Sequence, residues 1–146
     1  MDLQWLNDNG FKKVGEFISK SINKSGIGVE FDDPEFVNGD QNWVYAFLLG
    51  NEIKYIGETA QTLAQRMRLY YLEARTDSTN ANMRERLKEL LKINQTLEIY
   101  AQKAPLATIG NRILQIRVDL EISMIQELRP EWNKKGLYKT QSVLIE

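Results

Sequence analysis

The sequence contains neither cysteine nor histidine in 146 residues. Without cysteine there is no disulfide, no thiolate zinc site and no thiol nucleophile. Without histidine the commonest general base and the commonest nitrogen ligand are both missing. Any catalysis must therefore use carboxylate, tyrosine, lysine or arginine. Long apolar runs are absent too. None approaches the roughly 18 residues of a membrane span, and Asp8, Lys12 and Lys13 interrupt the start of the chain where a signal peptide would be apolar. A cytoplasmic protein without a membrane partner is expected. An excess of positive charge is also lacking, since the net charge is −1 and the isoelectric point is near 5.7, whereas nucleic-acid-binding domains are ordinarily basic. The charge is unevenly spread, however. Residues 1–42 carry four Lys against eight Asp or Glu, a net of −4, and the remainder carries fifteen basic against twelve acidic residues, a net of +3.

What the chain does have is a hydrophobic content of 42%, enough for one compact domain with its own core. Phe11, Val14, Phe17, Ile18 and Ile22 recur at helical spacing before Ser25-Gly26, which predicts an amphipathic helix over 11–22. A strand is expected at Ile27 to Phe31, and the breaks at Asp32-Asp33-Pro34 and Gly39-Asp40 place a boundary near residue 42. Residues 43–49 and the segment Ile53 to Ile56 are β-rich and predict a hairpin. If its loop is the three residues Gly50 to Glu52, side chains alternating with a period of two set Tyr45, Phe47, Tyr55 and Gly57 on one face; a two-residue loop would separate the tyrosines. Thr62 to Gln65 reads as a capping box opening a helix to about Ala74 that presents Arg66 and Tyr70 on one face. A further helix is expected around Met83, Leu87, Leu90 and Leu91, and a third strand at Leu97 to Ala101. Thr108 is placed as the cap of a long last helix, which Pro130 stops near Leu128. The tail from Tyr138 is assigned to a short additional strand.

On that last helix Leu114, Val118, Glu121, Ile125 and Leu128 form one stripe, and Glu121 interrupts it. A carboxylate aimed at an apolar interior needs a cationic partner or a metal ion. A structural ion pair with an arginine of the neighbouring helix and a metal ligand are equally good readings of Glu121 taken alone. Asp119 lies off the stripe and is read as solvated. Single aromatic residues on strands are ordinarily core, and Arg84, Arg86 and Lys88 ordinarily form a solvated helix face, with DNA phosphates as the alternative contact for them.

Trp43-Val44-Tyr45, then Tyr55-Ile56-Gly57 ten residues on, Arg66 nine residues past the glycine, Glu121 on a helix, and Pro130-Glu131-Trp132-Asn133 occur in an order and spacing that resembles the GIY-YIG nuclease superfamily. The resemblance spans residues 43 to 135. It implies an α+β fold with a small three-stranded, mostly antiparallel sheet flanked by helices, to which the chain adds an N-terminal helix. The corresponding division is an N-terminal extension (1–42) packing on the core, a nuclease core (43–136) and a C-terminal tail (137–146). By the same resemblance Tyr45 would act beside the attacking water, Tyr55 would bond the scissile phosphate, and Gly57 would let the backbone approach the substrate. Arg66 would stabilise developing negative charge, Glu121 would hold a single divalent ion, Mg²⁺ or Mn²⁺, and Asn133 would tie the end of the last helix to the site. Two departures stand out. Trp43 replaces the first glycine of the motif, and Tyr70 stands where many relatives have histidine, so the general base is left open between Tyr45 and other groups. Arg68, about 200° around the helix from Arg66, is a candidate phosphate contact. The implied activity is metal-dependent hydrolysis of DNA phosphodiester bonds. The competing readings are a catalytically silent nucleic-acid- or protein-binding module on the same fold, and a protein whose acidic N-terminal part engages another protein with DNA only incidental; DNA is the expected partner, and a homodimer or protein partner through the N-terminal extension is left open.

Overall fold

The computed structural model describes residues 2–72 and 78–133. In chain order the elements are α1 (Asp2–Asp8), β1 (Lys12–Ser19), β2 (Ile27–Phe31), α2 (Pro34–Gly39), β3 (Trp43–Leu49), β4 (Glu52–Thr59), α3 (Leu63–Tyr71), α4 (Ser78–Lys92), β5 (Leu97–Lys103), β6 (Leu106–Ile109), β7 (Arg112–Gln115) and α5 (Arg117–Leu128). Five strands form one sheet in the order β2-β1-β5-β3-β4, and every neighbouring pair is antiparallel. The sheet is thus larger than the three strands expected, because the N-terminal segment supplies two of them.

The segment predicted as a helix over 11–22 is the strand β1. Val14 and Phe17, three residues apart, are both buried, and a bulge between Lys13 and Gly15 puts them into one core. An extra residue in a strand shifts its alternation by one, so a three-residue apolar spacing mimics a helical turn. A Cβ on Gly15 would lie 2.4 Å from the Glu30 carbonyl, so this glycine serves the close approach of β2. Beyond β5, the expected cap at Thr108 lies inside β6 instead. Gly110-Asn111 makes a two-residue turn of the kind that closes hairpins, with φ +59° at Gly110, and the last helix begins only at Arg117. Leu114 therefore leaves the helical stripe for β7. The short β6–β7 ribbon is largely exposed. The strand expected from Tyr138 lies outside the described residues.

Strand β3 is buried on both faces, and its alternation divides the core. Trp43, Tyr45 and Phe47 join Met67, Tyr70 and Leu87 of α3 and α4 on one face. Val44, Ala46 and Leu48 join Leu6 of α1 and Met124 and Ile125 of α5 on the other. Helices so cover both faces of the sheet, with α5 over β4 and β3. None of the helices among the described residues is long and apolar enough to cross a membrane.

Candidate active site

The β3–β4 hairpin sets two of the tyrosines. Its loop is Gly50-Asn51, two residues rather than three, since Leu49 pairs with Glu52. Taken alone that length would put Tyr45 and Tyr55 on opposite faces. The register shifts after Phe47, however, so that Leu48 pairs with Ile53 and Phe47 with Tyr55, which leaves Lys54 as an extra residue. The bulge restores the parity, and the Tyr45, Tyr55 and Phe47 rings cluster with centroids 5.5–6.4 Å apart.

The third tyrosine and the arginine come from α3. Thr62 accepts from the Gln65 backbone N–H while the Gln65 side chain accepts from the Thr62 N–H, the capping box read from sequence. One turn on, Arg66 and Tyr70 face the sheet. Arg66 Nε donates to the Tyr45 hydroxyl at 3.1 Å and Nη2 to the Tyr70 hydroxyl at 2.9 Å. The two hydroxyls share a hydrogen bond of 2.6 Å, and the guanidinium lies 4.3 Å from the centroid of the Tyr70 ring. Arg66 Nη1 reaches Asn80 Oδ1 on α4 at 3.4 Å. One cation is thereby held by three elements. Tyr45 and Tyr70 are fully buried, while Tyr55 and Arg66 are half-buried.

Burial dominates the titration of these phenols. It pushes Tyr45 well above the ordinary tyrosine value, with the Arg66 charge opposing the rise. Tyr70 is raised by burial and by the neighbouring phenols, and Tyr55 is raised by burial. All three hydroxyls are protonated at neutral pH. As a general base Tyr45 is thus disfavoured, and its hydroxyl serves to orient Arg66.

Gly57 pairs with Tyr45 across the hairpin. A Cβ there would stand 2.5 Å from the Tyr45 ring and hydroxyl; the space left by the missing side chain is filled by the phenol that holds Arg66. Asn133 bonds the next residue back, its Oδ1 accepting from Ile56 N–H at 3.0 Å and its Nδ2 donating to the Ile56 carbonyl at 2.8 Å. The Trp132 N–H donates to the Lys54 carbonyl. The segment after α5 thereby lies along the free edge of β4.

Glu121 reaches that edge from α5. Burial lifts its carboxyl to about 7; the Glu58 charge adds to the rise, while the Arg66 charge and the nearby Glu58 backbone oppose it. Glu58 itself accepts from Arg117 Nε at 2.7 Å, and Arg117 Nη1 donates to Asn42 Oδ1 at 3.1 Å. Sequence reasoning missed Glu58, Arg117 and Asn80. Arg117 lies one helical turn before Glu121, a spacing that marks a shared face; nothing in the sequence couples either to Glu58.

Among the basic candidates, Arg68 is exposed. Arg84 is not on an open surface, being 6% exposed, with its guanidinium donating to the Leu72 carbonyl; it serves the α3–α4 corner. Arg86 lies over the Trp132 ring at 5.3 Å, and Lys88 contacts Glu85 at 3.5 Å. Among the described residues no three carboxylates converge. Glu121 could hold a divalent ion that keeps water at most of its positions, as Mg²⁺ does. A partly desolvated carboxylate lacking a full counter-charge fits such an ion.

No protein-family model matches the chain, and none of the curated proteins does. The fold is shared with solved structures. A point mutant of bacteriophage T4 EndoII superposes with a TM-score of 0.75 over 91% of this chain and 98% of its own, at 19% identity. The restriction endonuclease HPY188I in complex with product DNA superposes with a TM-score of 0.55 over 87% of this chain and 80% of its own, at 18% identity. At these identities the similarity establishes a common α+β fold.

Proposed function

We propose that the protein is an endonuclease that hydrolyses DNA phosphodiester bonds with Mg²⁺ or Mn²⁺, using the constellation of the GIY-YIG superfamily. The observation that carries this reading is Arg66, fixed by two buried phenols beside half-buried Tyr55 and within electrostatic reach of Glu121. A single guanidinium held this rigidly, next to a carboxylate raised by desolvation, is an arrangement for meeting a phosphodiester rather than for stabilising a helix surface. The restriction endonuclease with the same fold is seen with product DNA, which supports DNA as the substrate here.

In this reading Arg66 offers its charge to the phosphoryl oxygens, where negative charge builds in the transition state. Tyr55, partly buried beside the other two phenols, donates its hydroxyl to a phosphate oxygen. Tyr45 and Tyr70 keep the guanidinium from rotating, so little reorganisation is needed as the reaction proceeds. Glu121 anchors the divalent ion, which when bound neutralises charge on the phosphate and on the departing 3′ oxygen. One such site cuts one strand.

The test is nicking of supercoiled plasmid, and cutting of a branched DNA, in Mg²⁺ or Mn²⁺. Nicking by the natural protein, abolished by EDTA and reduced at least about 100-fold by Glu121→Ala, is the expected result. Well-folded protein that cuts neither substrate with either ion would overturn the reading in favour of a binding module.

A further inference from the structure

The ion pair beside the catalytic carboxylate has a geometry that helix anchoring alone does not require. Glu58 follows Gly57 on β4, and its backbone and side chain serve different partners. Its backbone lies close enough to Glu121 to oppose the rise in that carboxyl's pKa, while its carboxylate takes Arg117 Nε at 2.7 Å, with only 14% of the Arg117 side chain and 27% of the Glu58 side chain exposed. Arg117 is fixed from the other side by Asn42 Oδ1 at 3.1 Å, a residue held at φ +69° at the start of β3. Arg117 and Glu121 stand four residues apart on α5, hence on the same side of the helix. Two carboxylates therefore share a half-buried corner, where the Arg117 guanidinium is committed to Glu58 and Arg66 acts on Glu121 from the other side of the site.

Resting on the endonuclease reading, we propose that Arg117 is a positioning residue that keeps the Glu58 carboxylate out of the coordination of the divalent ion, leaving Glu121 its single carboxylate. The physical reason is charge. A Glu58 released from Arg117 would add a second anionic oxygen ligand, hold the ion more tightly and return negative charge to the place where a polyanionic backbone has to dock. With Glu58 neutralised by Arg117, Glu121 would be the carboxylate offered to the ion, which suits the preference of Mg²⁺ for retaining water.

Binding of Mn²⁺ alone, followed by electron paramagnetic resonance without DNA, tests this separately from cleavage. Arg117→Gln, which keeps a hydrogen-bond donor but loses the charge, should bind Mn²⁺ roughly tenfold more tightly than the natural protein. Adding Glu58→Gln to it should return the affinity to the natural value, and Arg117→Lys should leave it unchanged. An arginine that only fastens α5 to β4 predicts the opposite, weaker binding in Arg117→Gln; that result, or no change in a variant with natural circular dichroism and melting temperature, overturns the proposal. Should Arg117→Gln fail to fold, Glu58→Gln alone decides. A loss of only a few fold supports the proposal, whereas a loss beyond about 50-fold marks Glu58 as a direct ligand and overturns it. Glu121→Ala separates the two readings. Mn²⁺ binding undiminished in that variant removes Glu121 as the metal anchor and with it the endonuclease mechanism, while loss of binding there together with no effect at Arg117 removes only the role of Arg117.

Discussion

In the proposed mechanism Glu121 carries two opposed demands, since it is buried enough to resist ionisation and would have to ionise to hold a cation. Its carboxyl is lifted from the ordinary 4.5 to about 7, so between those values the folded protein retains a proton that the unfolded chain has released. The stability this confers is complete below pH ~4.5 and is lost as pH rises through 7. Glu121→Gln, neutral throughout, should therefore match the natural protein at pH 4 and exceed it above pH 7.5 by on the order of 2 kcal/mol after allowance for partial exposure. Thermal melts across that range test the sign; an equal gain at both ends would show that packing, not charge, was responsible. The same proton competes with the divalent ion, and affinity for Mn²⁺ should rise with pH up to about 7. Tyr70 makes a different contribution. Tyr70→Phe removes an acceptor of Arg66 and a partner of Tyr45, at a cost of about 1 kcal/mol in stability. It should lower kcat for nicking about tenfold, with the KM for DNA nearly unchanged, because the guanidinium stays present but less well aimed. A mainly raised KM would instead assign Tyr70 to substrate binding.

At the scale of elements, the site depends on two close fits. The bulge at Lys54 compensates the short hairpin loop and brings Tyr45 and Tyr55 to one face. Gly57 leaves room for the Tyr45 ring in the register that the bulge creates. Gly57→Ala should therefore destabilise by about 1–3 kcal/mol through overpacking, and nicking should fall with it because the displaced phenol no longer braces Arg66. Chemical denaturation measures the first effect. Unchanged stability would mean that the Tyr45 ring can yield at no cost. On α3 the capping box, the register of Arg66 and Tyr70 and the helix start were all legible in the residues, because capping and helical spacing are local. Of the long final helix expected from Thr108, only the C-terminal part, Arg117–Leu128, is helical. Its stop before Pro130 was read correctly, whereas the competing turn at Gly110-Asn111 was overlooked and moved the helix start from Thr108 to Arg117.

For the molecule as a whole, residues 1–42 share a sheet with the site-bearing strands. Strand β1 pairs with β5 along one edge and with β2 along the other, and Val14, Phe17, Ile27 and Val37 belong to the same core as Tyr45 and Tyr70. A chain starting at residue 43 would expose the backbone groups of β5 and the apolar face behind the tyrosines. It should be recovered as aggregate or as an unfolded species by circular dichroism; a soluble, cooperatively melting 43–146 fragment would show that the nuclease core is complete without those strands.

The residues alone determined the hairpin, the capped helix, the order Tyr45, Tyr55, Arg66, Glu121, Asn133, and the chemistry that remains when cysteine and histidine are absent, since each depends on composition or on spacing over a few residues. Tertiary structure decided what depends on distant pairing. It made 12–19 a strand, because apolar spacing across a bulge imitates a helical turn until β2 and β5 lie alongside. It turned Arg84 inward to the Leu72 carbonyl, and it brought Glu58 and Arg117, 59 residues apart, to the side of Glu121. Contacts of that separation leave no periodic trace in the chain, because they arise only when α5 closes over the edge of β4.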